Sequence, residues 1–252
     1  MRITAAKKVP MTSLRKTALV AGIFYLITFV SIPTLALYGP VKHHQNWVLG
    51  SGGYTPVLVG GFLEVIVALA SIGTAVTLYP VVKRQNQGLA LGFVTSRLLE
   101  GVMIFTGVVS LLSLLTLKHD LGAATGANAT ALVTVAASHV AVYNWTFLLS
   151  QSLMPGINAI LLGTLMYRSR LVPRVLPLLG LIGGPLLIIA VFATLLGQHS
   201  TLGGLVALPV IPVAAWEFSL GLWLTFKGFR PAPITAEVTV ASAPPAYSGA
   251  AV

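Results

Sequence analysis

From Gly88 to Leu117 the chain reads GLALGFVTSRLLEGVMIFTGVVSLLSLLTL, an apolar run broken by two charges, Arg97 and Glu100. As a helix rising 1.5 Å per residue it is about 45 Å long, enough to cross the ~30 Å hydrocarbon core of a bilayer with residues to spare. Five further runs of the same character occur, at 17–38, 56–80, 146–167, 175–197 and 203–226. Charged residues make up 8% of the 252 residues and hydrophobic residues 56%, whereas a soluble domain carries roughly 25% charged residues. The sequence therefore predicts an all-α, polytopic membrane protein built as a six-helix transmembrane bundle. Its partner is the lipid bilayer.

The formal net charge of +10 suggests nucleic acid until the basic residues are placed. They lie in short segments between the apolar runs, with no basic helix and no basic tail of interleaved aromatics, so nucleic acid is not an expected partner. Arg2, Lys7, Lys8, Arg15 and Lys16 precede the first run; Lys83 and Arg84 follow the second; Arg168, Arg170 and Arg174 follow the fourth; Lys227 and Arg230 follow the sixth. Only Lys42 and Lys118 occupy the alternate connections. By the excess of Lys and Arg on cytoplasmic loops, both termini are expected in the cytoplasm. The domains read as a basic N-terminus at 1–16, a membrane domain at 17–226, and a cytoplasmic tail at 227–252 whose Pro/Ala-rich composition predicts disorder.

Residues 129–167 are apolar enough to be cut into two spans, which would make seven and carry Arg168, Arg170 and Arg174 to the other side. The charge pattern favours six, with 122–142 an Ala/Val-rich helix on the outer surface and Tyr143 and Trp145 as interfacial anchors. Gly180 and Gly184, like Gly88 and Gly92, have the small-xxx-small spacing that lets helices pack closely within a bundle.

The residues that do not belong in lipid are Glu64, Arg97, Glu100 and Glu217. Each ionisable group near the bilayer centre costs about 2.5–3.5 kcal/mol, so they are expected to turn inward and meet one another. Counting from the cytoplasmic ends of their runs, Arg97, Asn158 and Glu217 lie at roughly 14 Å, near the midplane. Glu100 is one turn further and Glu64 further still, while Gln151, Pro155 and Asn158 share a helix face. Two readings follow. One is a structural ion pair that fixes helix register. The other is a site: three carboxylates against one guanidinium leave negative charge in an oily interior, which a proton or a small cation would complete. Ligand- or proton-binding roles are thus expected for Glu64, Arg97, Glu100, Asn158 and Glu217.

There is no cysteine, and all five histidines fall between the runs. Intramembrane zinc and serine hydrolases need His or Cys at depth, so neither is expected, nor is a cofactor or a metal site.

Four segments carry a family resemblance: Ala21-Gly-Ile-Phe-Tyr-Leu-Ile-Thr28, Arg97-Leu-Leu-Glu100, Leu165-Met-Tyr-Arg-Ser-Arg-Leu-Val-Pro-Arg174 with Leu179-Gly-Leu-Ile-Gly183, and Trp216-Glu-Phe-Ser-Leu-Gly-Leu-Trp-Leu-Thr-Phe-Lys-Gly-Phe229. Together they resemble DUF4386, a bacterial family of integral membrane proteins of unknown function. The resemblance runs from about Thr17 to Arg230 and implies a six-pass inner-membrane protein. It assigns no substrate and no catalytic residue. The expected function is transport-like or cation-binding, the alternative an accessory or scaffold membrane protein with a structural ion pair.

Overall fold

A computed structural model describes residues 11–44, 46–197 and 202–236, all helix and connection, with no strand among them. Six helical stretches are long and apolar enough to cross a membrane: Ser13–Ser31, Thr55–Val82, Gln87–Leu121, Gly126–Ser169, Val175–Leu195 and Val206–Phe226. The first is α1 (Ser13–Ile27), prolonged by a 3₁₀ turn. The others are α4 (Thr55–Val82), α5 (Gln87–Leu121), a run made of α6 (Gly126–Leu148) and α7 (Met154–Ser169), α8 (Val175–Leu195) and α9 (Leu202–Phe226). Two short helices, α2 (Thr34–Leu37) and α3 (Gly39–His43), lie between α1 and α4.

Local chemistry sets several of these boundaries. The side chains of Thr12 and Asn86 cap α1 and α5 by accepting from Arg15 N and Leu89 N, at 3.3 and 2.9 Å. Arg170 closes α7 in the left-handed conformation, φ 59°. At the end of α9, the Arg15 guanidinium donates to the carbonyls of Leu224 (2.9 Å) and Thr225 (2.6 Å), which have no helical partner of their own.

Helices contact in the order α1, α4, α5, α7, α8, α9 and back to α1, closing a ring. Its outside is apolar and its charges are inside: on α5, Leu91, Leu98, Val102 and Val109 face outward while Arg97 and Glu100 are buried. That inversion of the soluble pattern is what a bilayer solvent demands. A core of Tyr25, Leu78, Phe93, Leu162, Trp216 and their neighbours fills one half of the ring. A second core, Tyr38, Trp47, Val57, Leu111, Leu132 and Tyr143, fills the other end. Close crossings use Gly180 and Gly184, as the spacing predicts: a Cβ at Gly180 would lie 2.7 Å from Trp216 Cδ1, and one at Gly184 2.7 Å from Gly156 O.

Three expectations need revision. The first span is not one helix to residue 38. It passes from α1 through a 3₁₀ turn, Thr28–Ser31, and Pro33, which lacks an N–H, precedes α2. The segment 122–142 does not form a separate surface helix: α6 lies antiparallel along the far half of α5 and continues into α7 through a π-helical turn at Leu149–Leu153. The reason is that α5 extends to Leu121, about 52 Å in all, which gives α6 a partner along its length. Tyr143 is accordingly buried rather than an interfacial anchor, although Trp145 is exposed. Finally, residues 227–236 are docked: Arg230 N donates to Leu171 O at 2.8 Å, and Phe229, Ala232 and Ile234 pack on the nearer core. The rest of the tail lies outside the described residues.

Candidate functional site

The centre of the ring is polar because α5 aims Arg97 and Glu100, neighbours at i,i+3, at the same point. Arg97 Nη1 lies 3.1 Å from both carboxylate oxygens of Glu100. Its Nη2 donates to Glu217 of α9 and lies 3.3 Å from the Tyr25 hydroxyl of α1. Glu100 also accepts from Asn158 Nδ2 of α7 at 2.6 Å and from Ser71 Oγ of α4 at 3.1 Å. Five of the six spans therefore meet on one guanidinium and two carboxylates. The Arg97 guanidinium also lies over the Tyr25 and Phe93 rings, 5.2 and 5.8 Å from their centroids. Arg97 is 1% exposed, while the Glu217 side chain retains 13%. Among the described residues nothing accepts from Arg97 Nε or donates to Asn158 Oδ1.

A cavity of about 240 Å³ opens on this cluster. Arg97, Glu100, Glu217 and Gln151 supply its polar wall; Val67, Leu187, Val213 and the broken end of the first span, Thr28–Ile32, supply much of the rest. Backbone that leaves the α-helical pattern within a span is stable only where protein or a cavity surrounds it, and here it lines the chamber.

Sequence reasoning brings Arg97, Glu100, Asn158 and Glu217 together correctly, but not Glu64. That carboxylate has a cage of its own: Tyr143 OH donates at 2.9 Å, Gln151 Nε2 at 3.1 Å and Tyr38 OH at 3.4 Å. Span two enters the Arg97 cluster through Ser71, seven residues and about 10 Å along α4 from Glu64. Lys42, which sits near Glu64, lies 5.3 Å from the Tyr143 ring centroid, and burial lowers its ammonium from the ordinary lysine range. Gln151 connects the two regions, since it donates to Glu64 and lines the cavity over Arg97.

The residues missed were Tyr25, Ser71, Tyr38 and Tyr143. A tyrosine in an apolar run is indistinguishable from core or interface, so only Ser71, on the same helical face as Glu64, left a readable signal. The described histidines do not assemble: His119 Nδ1 pairs with Asp120 at 2.7 Å in solvent, and His139 Nδ1 lies 3.2 Å from Ser110 Oγ. No group of three metal-ligating side chains occurs among the described residues, and His199 lies outside them.

An all-α ring of six apolar spans, polar at its centre, defines a multi-pass membrane protein. Residues 20–228 match the family described as Domain of unknown function (DUF4386), and the chain belongs to it. No curated protein and no solved structure matches the chain.

Proposed function

We propose that this chain is a small transport-like protein of a bacterial cytoplasmic membrane, with both termini inside, that binds a proton or small cation between Glu100 and Glu217. Arg97 holds the two carboxylates in register, and Asn158 orients Glu100. The observation that carries the reading is the composition of the cluster: two carboxylates, Glu100 buried and Glu217 partly so, share one buried guanidinium at the wall of a cavity. One negative charge remains uncompensated there, and an apolar interior does not hold it alone. Glu64, caged by neutral donors about 10 Å along α4 from Ser71, is a third carboxyl that the moving species would meet. The gathering of Arg15, Lys83, Arg84, Arg170, Arg174 and Lys227 at the end that carries both termini supports the orientation.

The competing reading is an accessory membrane protein whose ion pair only locks the ring. The near-complete burial of Arg97 and its contacts to α1, α5 and α9 favour it. Proteoliposomes loaded with a pH-sensitive dye separate the two. An imposed potassium gradient with valinomycin should drive proton uptake in the parent, and Glu100→Gln should abolish it while leaving thermal unfolding within about 1.5 kcal/mol. A protein that moves no proton or small cation and loses only stability on Glu100→Gln is the structural lock instead.

A further inference from the structure

The cavity over Arg97 is not the only one that touches Gln151. A second, of about 790 Å³, lies toward the end opposite the termini, lined by Lys42, Asn144, Phe147, Gln151, Ala207 and Val210 among others. Two residues, Gln151 and Val210, line both cavities. They form the boundary between them, contributed by the two helices on either side.

Both residues stand where their helix is irregular. Gln151 is the middle residue of the π-helical turn Leu149–Leu153, and Pro155 has no N–H for the Gln151 carbonyl four residues before it. Val210 lies between Pro209 and Pro212, each of which removes one hydrogen bond from α9. These are the positions at which a helix can bend without giving up further backbone bonds. The Gln151 amide is in turn fixed by its 3.1 Å bond to Glu64, itself held by Tyr143 and Tyr38.

We infer that Gln151 and Val210 form a neck between an outer vestibule and the Glu100–Arg97–Glu217 chamber, the route by which a small cation reaches the site from the end opposite the termini. Glu64 is a positioning residue on this route, since it acts by holding the Gln151 side chain. The inference deepens the proposed function but makes a claim of its own, about access rather than binding.

The chain has no cysteine, so a single reporter can be placed in the chamber. Ala214 lines it without contacting either carboxylate through a hydrogen bond. In Ala214→Cys, the membrane-impermeant cationic thiosulfonate MTSET is applied to right-side-out and to inside-out vesicles. Labelling should occur from the face opposite the termini. Adding Gln151→Ala or Val210→Ala should speed it about tenfold, and adding Val210→Phe should slow it about tenfold, each the change in rate that 1.4 kcal/mol of barrier gives. If Val210→Phe does not fold, as judged by gel filtration, the two alanine variants still decide. Rates indifferent to the neck, labelling from the terminal face alone, or no labelling at all would each overturn the route. Labelling that obeys the neck without any ion flux removes the cation reading and leaves the route. Flux with neck-independent labelling does the reverse.

Discussion

Replacing Arg97 by glutamine should be among the most damaging single changes in this protein. The guanidinium makes two contacts of 3.1 Å to Glu100, one to Glu217 and one of 3.3 Å to Tyr25, and it is 1% exposed. Removing one partner of a buried ion pair costs about 3–5 kcal/mol, mostly the penalty of the charge left behind. Here two carboxylates are left, so the loss should fall at the upper end of that range. The same logic predicts rescue. In Arg97→Gln/Glu100→Gln/Glu217→Gln all the formal charges leave together, and the triple variant should recover to within about 1.5 kcal/mol of the parent, because the three sites are coupled and their effects do not add. Equilibrium unfolding in mild detergent micelles, followed by the fluorescence of buried Trp216, measures both. If Arg97→Gln unfolds at the parent midpoint, or the triple variant is less stable than the single one, the electrostatic account of the cluster is wrong.

Other predictions follow from single contacts. Gly184→Leu must push its Cβ into the Gly156 carbonyl at 2.7 Å and should cost about 1–3 kcal/mol in thermal unfolding, whereas Gly53→Ala, with nothing within 4 Å, should change stability by less than about 0.5 kcal/mol. Tyr143→Phe deletes the shortest of the three bonds to Glu64 and should destabilise by about 1–3 kcal/mol in the same assay. Lys118 donates to the Trp47 carbonyl at 2.6 Å and also to that of Gly50, with its ammonium over the Trp47 ring at 4.3 Å. Lys118→Met should therefore free the connection before α4, and limited proteolysis with proteinase K should cut it at 46–54 far sooner than in the parent.

Much of this arrangement was legible from the amino-acid order because a bilayer imposes blunt rules. Six apolar lengths and the inward turn of Arg97 and Glu100 follow from the cost of charge in hydrocarbon. Counting depth along ideal helices places Asn158 and Glu217 near Arg97, which works because no proline interrupts α7 from Asn158 to Tyr167 or α9 from Glu217 to Phe226. The count also puts Glu64 further along, where it lies, but the expectation that it meets the others fails. Its neighbours come from the broken stretch after α1, from α6 and from the π-helical turn, and neither the turn at Pro33 nor the π-helical turn can be read from hydropathy. Apolarity says that 122–142 is helical, but only its contact with α5 says where it lies. The π-helical turn at Gln151 was equally hidden, since Pro155 predicts a kink and not the form the kink takes.

The central claim is that Glu100 and Glu217 hold one proton or cation more than Arg97 supplies. Infrared spectroscopy of purified protein tests it most directly, at neutral pH in a buffer free of alkali and divalent metal ions, with N-methylglucamine as its only cation. Glu64→Gln is introduced first, because the carboxyl caged by Tyr143, Gln151 and Tyr38 would give a band of its own. In that background the account predicts the C=O band of a protonated carboxyl that disappears on adding either Glu100→Gln or Glu217→Gln. A Glu64→Gln protein without that band, or one whose band survives both further substitutions, would contradict it.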